Sequence, residues 1–145
     1  MISQTAEYAL RAVVYLAKGA GTAYTADQIS KATQVPAPYL SKVLQPLIKA
    51  HLVQSQRGLG GGFSLEKKPE QITILQVINA VDPIERMEAC PLGLDEHLGA
   101  LCPLHKRLDE AVGLIEDAFA KTTISELLHP PADAKLCLFP NTKKV

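Results

Sequence analysis

Residues 51–65 read His51-Leu52-Val53-Gln54-Ser55-Gln56-Arg57-Gly58-Leu59-Gly60-Gly61-Gly62-Phe63-Ser64-Leu65, and this stretch decides the fold. His51 to Arg57 suits a strand, and Phe63-Ser64-Leu65 suits its return. Between them Gly58 to Gly62 must turn, using the positive φ angles that glycine tolerates. The spacing predicts a β-hairpin with a glycine tip and Arg57 at its base.

Upstream the period is helical. Leu40, Val43, Leu44, Leu47 and Ile48 form the apolar stripe of a helix that opens at Ala37-Pro38. Proline is tolerated there because first-turn amides are unpaired anyway. Pro46, inside the stripe, removes one backbone bond and is expected to bend this helix. Gln34-Val35-Pro36 turns back to a short helix between Thr25 and about Thr33. Thr25 and Gln28 have capping-box spacing, and Tyr24 with Ile29 fits a hydrophobic staple. The first helix carries Ala6, Ala9, Leu10, Val13, Val14, Leu16 and Ala17 at helical spacing. Ser3 caps its start, and Gly19 and Gly21 end it. Helix, helix–turn–helix, then hairpin is the order of a winged helix–turn–helix.

Downstream, Thr73 and Gln76 repeat the capping-box spacing, with Ile72 and Val77 as a staple, and that helix ends near Asp82-Pro83. Residues 84–103 show no period. The longest helix runs from Leu104 to about Lys121. Leu104, Leu108, Ala111, Ile115 and Ala118 step along it as a narrow seam suited to another helix. Val112, Leu114 and Phe119 widen that surface, which favours burial against a second chain. A short helix from Ile124 to Leu128 follows, and the tail from His129, with Pro130, Pro131 and Pro140, is expected to be irregular. The fold class is mainly α with a small β-hairpin wing. It divides into a winged helix–turn–helix unit (1–82), an aperiodic loop (83–103), a long-helix region suited to pairing with a second chain (104–128) and a tail (129–145).

The chain has 145 residues, ordinary for one domain, with 47% hydrophobic and 21% charged residues, which argues against disorder. No apolar run approaches the roughly 20 residues that span a bilayer. The N-terminus lacks a charged segment followed by an apolar block, so the expectation is a cytoplasmic protein without a membrane partner. The zero net charge hides an asymmetry. Residues 1–68 hold eight Lys/Arg and three acids, a net +5, and the other 77 residues hold −5. A basic half is a hint of a polyanion-binding unit.

In a helix–turn–helix the second helix enters the major groove. Its groove-facing residues here would be Pro38, Tyr39, Ser41, Lys42 and Gln45. Ser, Lys and Gln bond base edges or phosphates, and Tyr39 reaches phosphate. Arg57 beside Gly60 and Gly61 suits insertion into a minor groove, because glycine lets backbone approach DNA closely. A plainer reading exists for each. Three short helices and a hairpin also build protein-interaction modules, and a hairpin Arg also serves as a solubilising charge.

Three cysteines, Cys90, Cys102 and Cys137, argue against a disulfide scaffold. Cys102 and His105 are three apart at a helix start, a spacing that suits ligands to one metal. Asp95, Glu96 and His97 are further ligand types in the same segment. The alternative is that Cys90 and Cys102 are small hydrophobes buried under the long helix. Cys137 reads as incidental. A thiol redox enzyme with Cys102 as nucleophile and His105 as base is a remote alternative, because no motif supplies an oxyanion hole or substrate pocket.

Glu7-Tyr8-Ala9-Leu10-Arg11, Tyr39-Leu40-Ser41-Lys42-Val43-Leu44 and Arg57-Gly58-Leu59-Gly60-Gly61-Gly62-Phe63 together resemble the bacterial Rrf-two family. The Arg-Gly-x-x-Gly-Gly-Phe/Tyr wing is the most specific piece, and the resemblance spans about residues 1–128. It implies a homodimeric transcription factor on pseudo-palindromic double-stranded DNA. Many members hold an iron–sulfur cluster in the loop before the dimerisation helix. The usual signature is three cysteines separated by five residues each. Cys90 and Cys102 fit the outer two, and Glu96 stands at the middle position. His105 falls where one branch has a ligating His, and Glu7 where other members supply a carboxylate from the partner subunit. The resemblance therefore implies a cluster, two-iron rather than four, on Cys90, Cys102, His105 and Glu7, with Glu96 as the other fourth ligand. It would sense redox, nitric oxide or iron status. A cofactor-free or a thiol- or zinc-regulated member is the competing reading. Ser41 stands where the cluster-assembly branch has an acid used in sequence discrimination, so that branch's operator is not carried over.

Overall fold

The computed structural model describes residues 2–93 and 99–133. Asp95, Glu96, His97 and Cys137, with the expectations attached to them, lie outside the described residues. Helices α1 (Gln4–Lys18), α2 (Ala26–Thr33) and α3 (Ala37–Lys49) come first. Strands β1 (Val53–Gln56) and β2 (Gly62–Leu65) and a 3-10 turn (Pro69–Gln71) follow, then α4 (Ile74–Val81), α5 (Pro103–Lys121) and α6 (Ile124–Leu128).

Hydroxyl caps set four of the helix starts. The Ser3 side chain accepts from the Ala6 amide, and Thr25, Thr73 and Thr123 form reciprocal capping boxes with Gln28, Gln76 and Glu126. Each such cap stabilises its helix by about 1 kcal/mol. The box at Thr123 is one the sequence reading did not single out.

α1 is the axis of the domain. Ala6, Ala9, Ala12 and Ala17 are buried along it with Val13 and Leu16. These small side chains let α2, α3, α4 and α6 approach closely around it, and β2 joins them. Ile29, Val35, Leu40, Val43, Leu47, Val53, Ile72, Val77 and Ile124 complete one continuous core. Each large aliphatic among them contributes about 1.5–3 kcal/mol by leaving water. Residues 122–124 are tied to 72–74, the Ile74 amide donating to Thr122 and the Ile124 amide to Ile72 at 3.0 and 2.8 Å. α6, grouped by sequence with the long helix, thus packs against α1.

α3 continues through Pro46, and the Ala50 amide donates to the Pro46 carbonyl at 2.9 Å. The sequence places a strand from His51, but β1 begins at Val53. His51 adopts φ 55°, its amide donates to Ile48 and the Leu52 amide to Leu47, both at 3.0 Å. That is a Schellman cap, so His51 and Leu52 finish the helix. Beyond it the hairpin pairs Val53 with Leu65 and Gln56 with Gly62. Phe63 exchanges backbone hydrogen bonds of 2.9 and 2.7 Å with Tyr24, which fastens the wing to the entrance of α2. A Cβ at Gly62 would lie 2.4 Å from the Tyr24 carbonyl oxygen, so only glycine permits this closure.

α5 buries none of its residues in the single chain. No helix among the described residues is long and apolar enough to cross a membrane.

Candidate functional site

Two surfaces carry the chemistry-bearing residues. On α3, Leu40, Val43, Leu44 and Leu47 face the core, and the helical period turns Pro38, Tyr39, Ser41, Lys42 and Gln45 to solvent. The Lys42 ammonium sits over the Tyr39 ring, 5.4 Å from its centroid. Tyr39 meets Tyr8 of α1 edge-on, and the Arg11 guanidinium sits 5.8 Å from the Tyr8 centroid. Arg11 also pairs with Glu7, one helical turn earlier. The sequence reading took Tyr39 and Glu7 as site residues and used Tyr8 and Arg11, which join them, only in the stretch that carries the resemblance.

At the wing, Arg57 and Gly60 are exposed. Gly58 and Gly60 take φ values of +95° and +74°, as the turn requires. Gly61 is demanded by the tip itself, since a Cβ there would meet the Gln56 carbonyl oxygen at 2.5 Å. Leu59 projects from this tip fully exposed, an apolar group that sequence reasoning passed over.

The second surface lies where the chain enters α5. Cys102 is its N-cap and Pro103 its first residue, which puts His105 one turn inside. Cys90 arrives buried from the preceding segment. His105 Nδ1 is 3.4 Å from Cys90 Sγ and 3.1 Å from Cys102 Sγ. The ligand atoms of Cys90, Cys102 and His105 all lie within 4.8 Å of one another. Sulfur and nitrogen ligands on one tetrahedral ion sit roughly 3.5 Å apart. Two thiols and an imidazole on that scale fit a thiophilic ion, and they equally supply the mixed Cys/His donors that iron–sulfur centres accept. Glu7 is not in this convergence and is exposed on α1.

Beside the three donors lies a charged clamp. Arg86 forks onto Asp109 through Nε at 2.8 Å and Nη2 at 2.6 Å, and its Nη1 donates to Glu116 at 3.0 Å. The Met87 amide donates to the same Asp109 carboxylate at 2.9 Å. Bonding to Arg86 first, and to the Met87 amide second, holds the Asp109 carboxyl down to about 2, while Arg86 is pushed up by its two acids. A Cβ at Gly113 would meet the guanidinium at 3.0 Å, so this glycine opens the surface of α5 on which Arg86 lies. Its one signal in the sequence is a glycine inside a long helical period.

Along α5, Leu104, Leu108, Ala111 and Ala118 of the seam are exposed and Ile115 is half-buried. Leu104 and Leu114 stand 64% and 72% exposed, more than isolated surface leucines need explain when they share one helix.

The family model for Rrf2, described as an iron-dependent transcriptional regulator, matches residues 2–130. An inferred HTH-type transcriptional regulator of Aquifex aeolicus (strain VF5) is 35% identical over 132 residues, 89% of this chain and 92% of the relative. Among solved structures, CymR (YrzC), the global cysteine regulator of B. subtilis, superposes with a TM-score of 0.74 at 24% identity, over 89% of this chain and 96% of that one. T. potens IscR superposes with a TM-score of 0.71 at 24% identity, over 89% and 86%. At that identity both likenesses concern the fold.

Proposed function

The chain belongs to the Rrf2, or Rrf-two, family of DNA-binding transcriptional regulators, and on that premise we propose a homodimeric cytoplasmic regulator whose hold on DNA is set by an iron–sulfur cluster. The family and its relatives are regulators, not enzymes. The observation that carries the reading is the convergence of Cys90, Cys102 and His105 within 4.8 Å at the head of α5. These three, with the partner subunit's Glu7, would hold a cluster of the two-iron type, His taking the place of a thiolate on iron. Bound there, the group supplies one-electron chemistry and sensitivity to oxygen or nitric oxide.

The chain's own residues do the rest. Tyr39, Ser41, Lys42 and Gln45 read a major groove, and Arg57, with Gly60 and Gly61, enters the adjacent minor groove. The α5 seam pairs the subunits, so that two recognition helices meet a pseudo-palindromic operator about one helical turn, or a multiple, apart. The signal acts as a population shift between dimer arrangements that fit the operator differently. The compactness of the three donors favours a second reading, one zinc ion in place of the cluster. The test is operator binding by anaerobic protein before and after exposure to oxygen, with Cys102→Ala alongside. A cluster-set affinity changes on exposure only in the unsubstituted protein. A thiol- or zinc-regulated member whose thiols oxidise changes without any loss of iron and acid-labile sulfide, and a regulator that uses neither thiol shows no change.

A further inference from the structure

Cys90 and His105 are 15 residues apart, and the described backbone between Ile84 and Cys90 forms no helix or strand that would fix the thiol. The Ile84 amide donates to Asn79 Oδ1 at 3.1 Å, and nearer Cys90 the segment is held by a charged clamp. Arg86 and the Met87 amide both end on Asp109, Arg86 continues to Glu116, and Cys90 follows three residues after Met87. Asp109 in turn lies one helical turn beyond His105 on the same helix, α5. A two-point guanidinium fork with a backbone bond on the same carboxylate restrains both translation and rotation, which a single exposed ion pair does not. We propose that Arg86, Asp109 and Glu116 are positioning residues that hold Cys90 at Cys102 and His105 before any metal arrives. The bonds within the clamp run between Arg86, Asp109, Glu116 and the Met87 amide. Their action is to remove the ordering cost that Cys90 would otherwise pay on binding. The functional meaning of the clamp rests on the metal-site reading above, whereas its effect on the Cys90 thiol does not.

The experiment uses the full-length, metal-free protein under anaerobic conditions, with Arg86→Gln and Asp109→Asn. Arg107→Gln, which removes the exposed Arg107–Glu110 pair elsewhere on α5, is the control. Two quantities are read: the affinity for Co2+, followed by its thiolate charge-transfer band, and the alkylation rate of Cys90, resolved from Cys102 by mass spectrometry. Co2+ affinity is expected to fall by about 10–100-fold in both clamp variants, the range for residues that orient metal ligands, and to hold in Arg107→Gln. Cys90 alkylation is expected to rise at least about tenfold, with the unfolding temperature of the domain nearly unchanged. Should Asp109→Asn fail to fold, Arg86→Gln, which keeps the Asp109 bond to Met87, carries the test. Unchanged Cys90 reactivity, or Co2+ bound equally tightly by the clamp variants, overturns the proposal. If the unsubstituted protein binds no Co2+ while Cys90 reactivity still responds, the metal reading fails and the clamp stands.

Discussion

Tyr8 of α1 and Tyr39 of α3 meet edge to face, their ring centroids 5.8 Å apart and their planes at 66°. The contact joins the helix that bears Glu7 to the face that bears Lys42. Such a pair contributes about 0.5–1.5 kcal/mol beyond its buried area. Tyr8→Ala is expected to release the Tyr39 ring and weaken duplex binding several-fold, while Tyr8→Phe retains it. Fluorescence anisotropy on a labelled operator, at fixed salt, reads the difference.

For the wing, Arg57→Ala should cost about 1–3 kcal/mol of DNA affinity if its contact is bidentate or in the minor groove. Lys42→Ala should cost less and lower the slope of log affinity against log salt by about 0.9, one phosphate's worth of released counterions. Equal affinities for both variants and the original protein, at matched salt, would remove α3 and the wing from the interface.

At the glycine tip the expected order of damage differs by position. Gly61→Ala sets a Cβ against the Gln56 carbonyl at 2.5 Å, so the turn must open. Gly60→Ala meets no atom but keeps a φ of +74°, a strain of about 1–2 kcal/mol. Thermal unfolding and amide exchange across 53–65 should show Gly61→Ala as the more disruptive of the two.

On α5, Ile115→Glu places an unpaired charge in the proposed subunit seam, a cost of several kcal/mol. Light scattering should show dimers for the original protein and monomers, or unfolded chain, for the variant. A well-folded monomer without the substitution would reject the seam.

Asp109 makes a pH prediction. Its carboxyl, held to about 2 by Arg86 and the Met87 amide, has an ordinary value of 3.8. A depressed carboxylate contributes stability that is complete above the unfolded value and is lost as pH falls through the folded one. The clamp should therefore stay intact from neutral pH down to about 4 and open between there and 2. A carboxyl-carbon NMR titration should put the Asp109 midpoint below that of other aspartates, and Arg86→Gln should raise it toward them while the Met87 amide still holds it somewhat low.

What could be read from the sequence is what is local. The capping boxes at Thr25 and Thr73 depend on residues three apart, and both form. Cys102 and His105 are likewise one turn apart, so their meeting follows from the helix start alone. The joining of Cys90 to them is long-range and came from resemblance. The clamp escaped because Arg86 reaches 23 residues to Asp109 and 30 to Glu116, and no periodicity encodes such a contact. His51 was misplaced because its left-handed cap is a conformation usually signalled by glycine. The short helix from Ile124 was read correctly as an element but grouped with the long helix, whereas backbone bonds to the 72–74 segment draw it into the core.

The most direct measurement is iron, acid-labile sulfide and zinc content with electron paramagnetic resonance, on protein purified anaerobically. It should be made on the original chain and on Cys102→Ala, His105→Ala and Glu7→Gln. The account predicts a coloured protein with two irons and two sulfides per site, a signal on reduction, and loss or alteration of both in each variant. Protein that is colourless and iron-free even after reconstitution would contradict it.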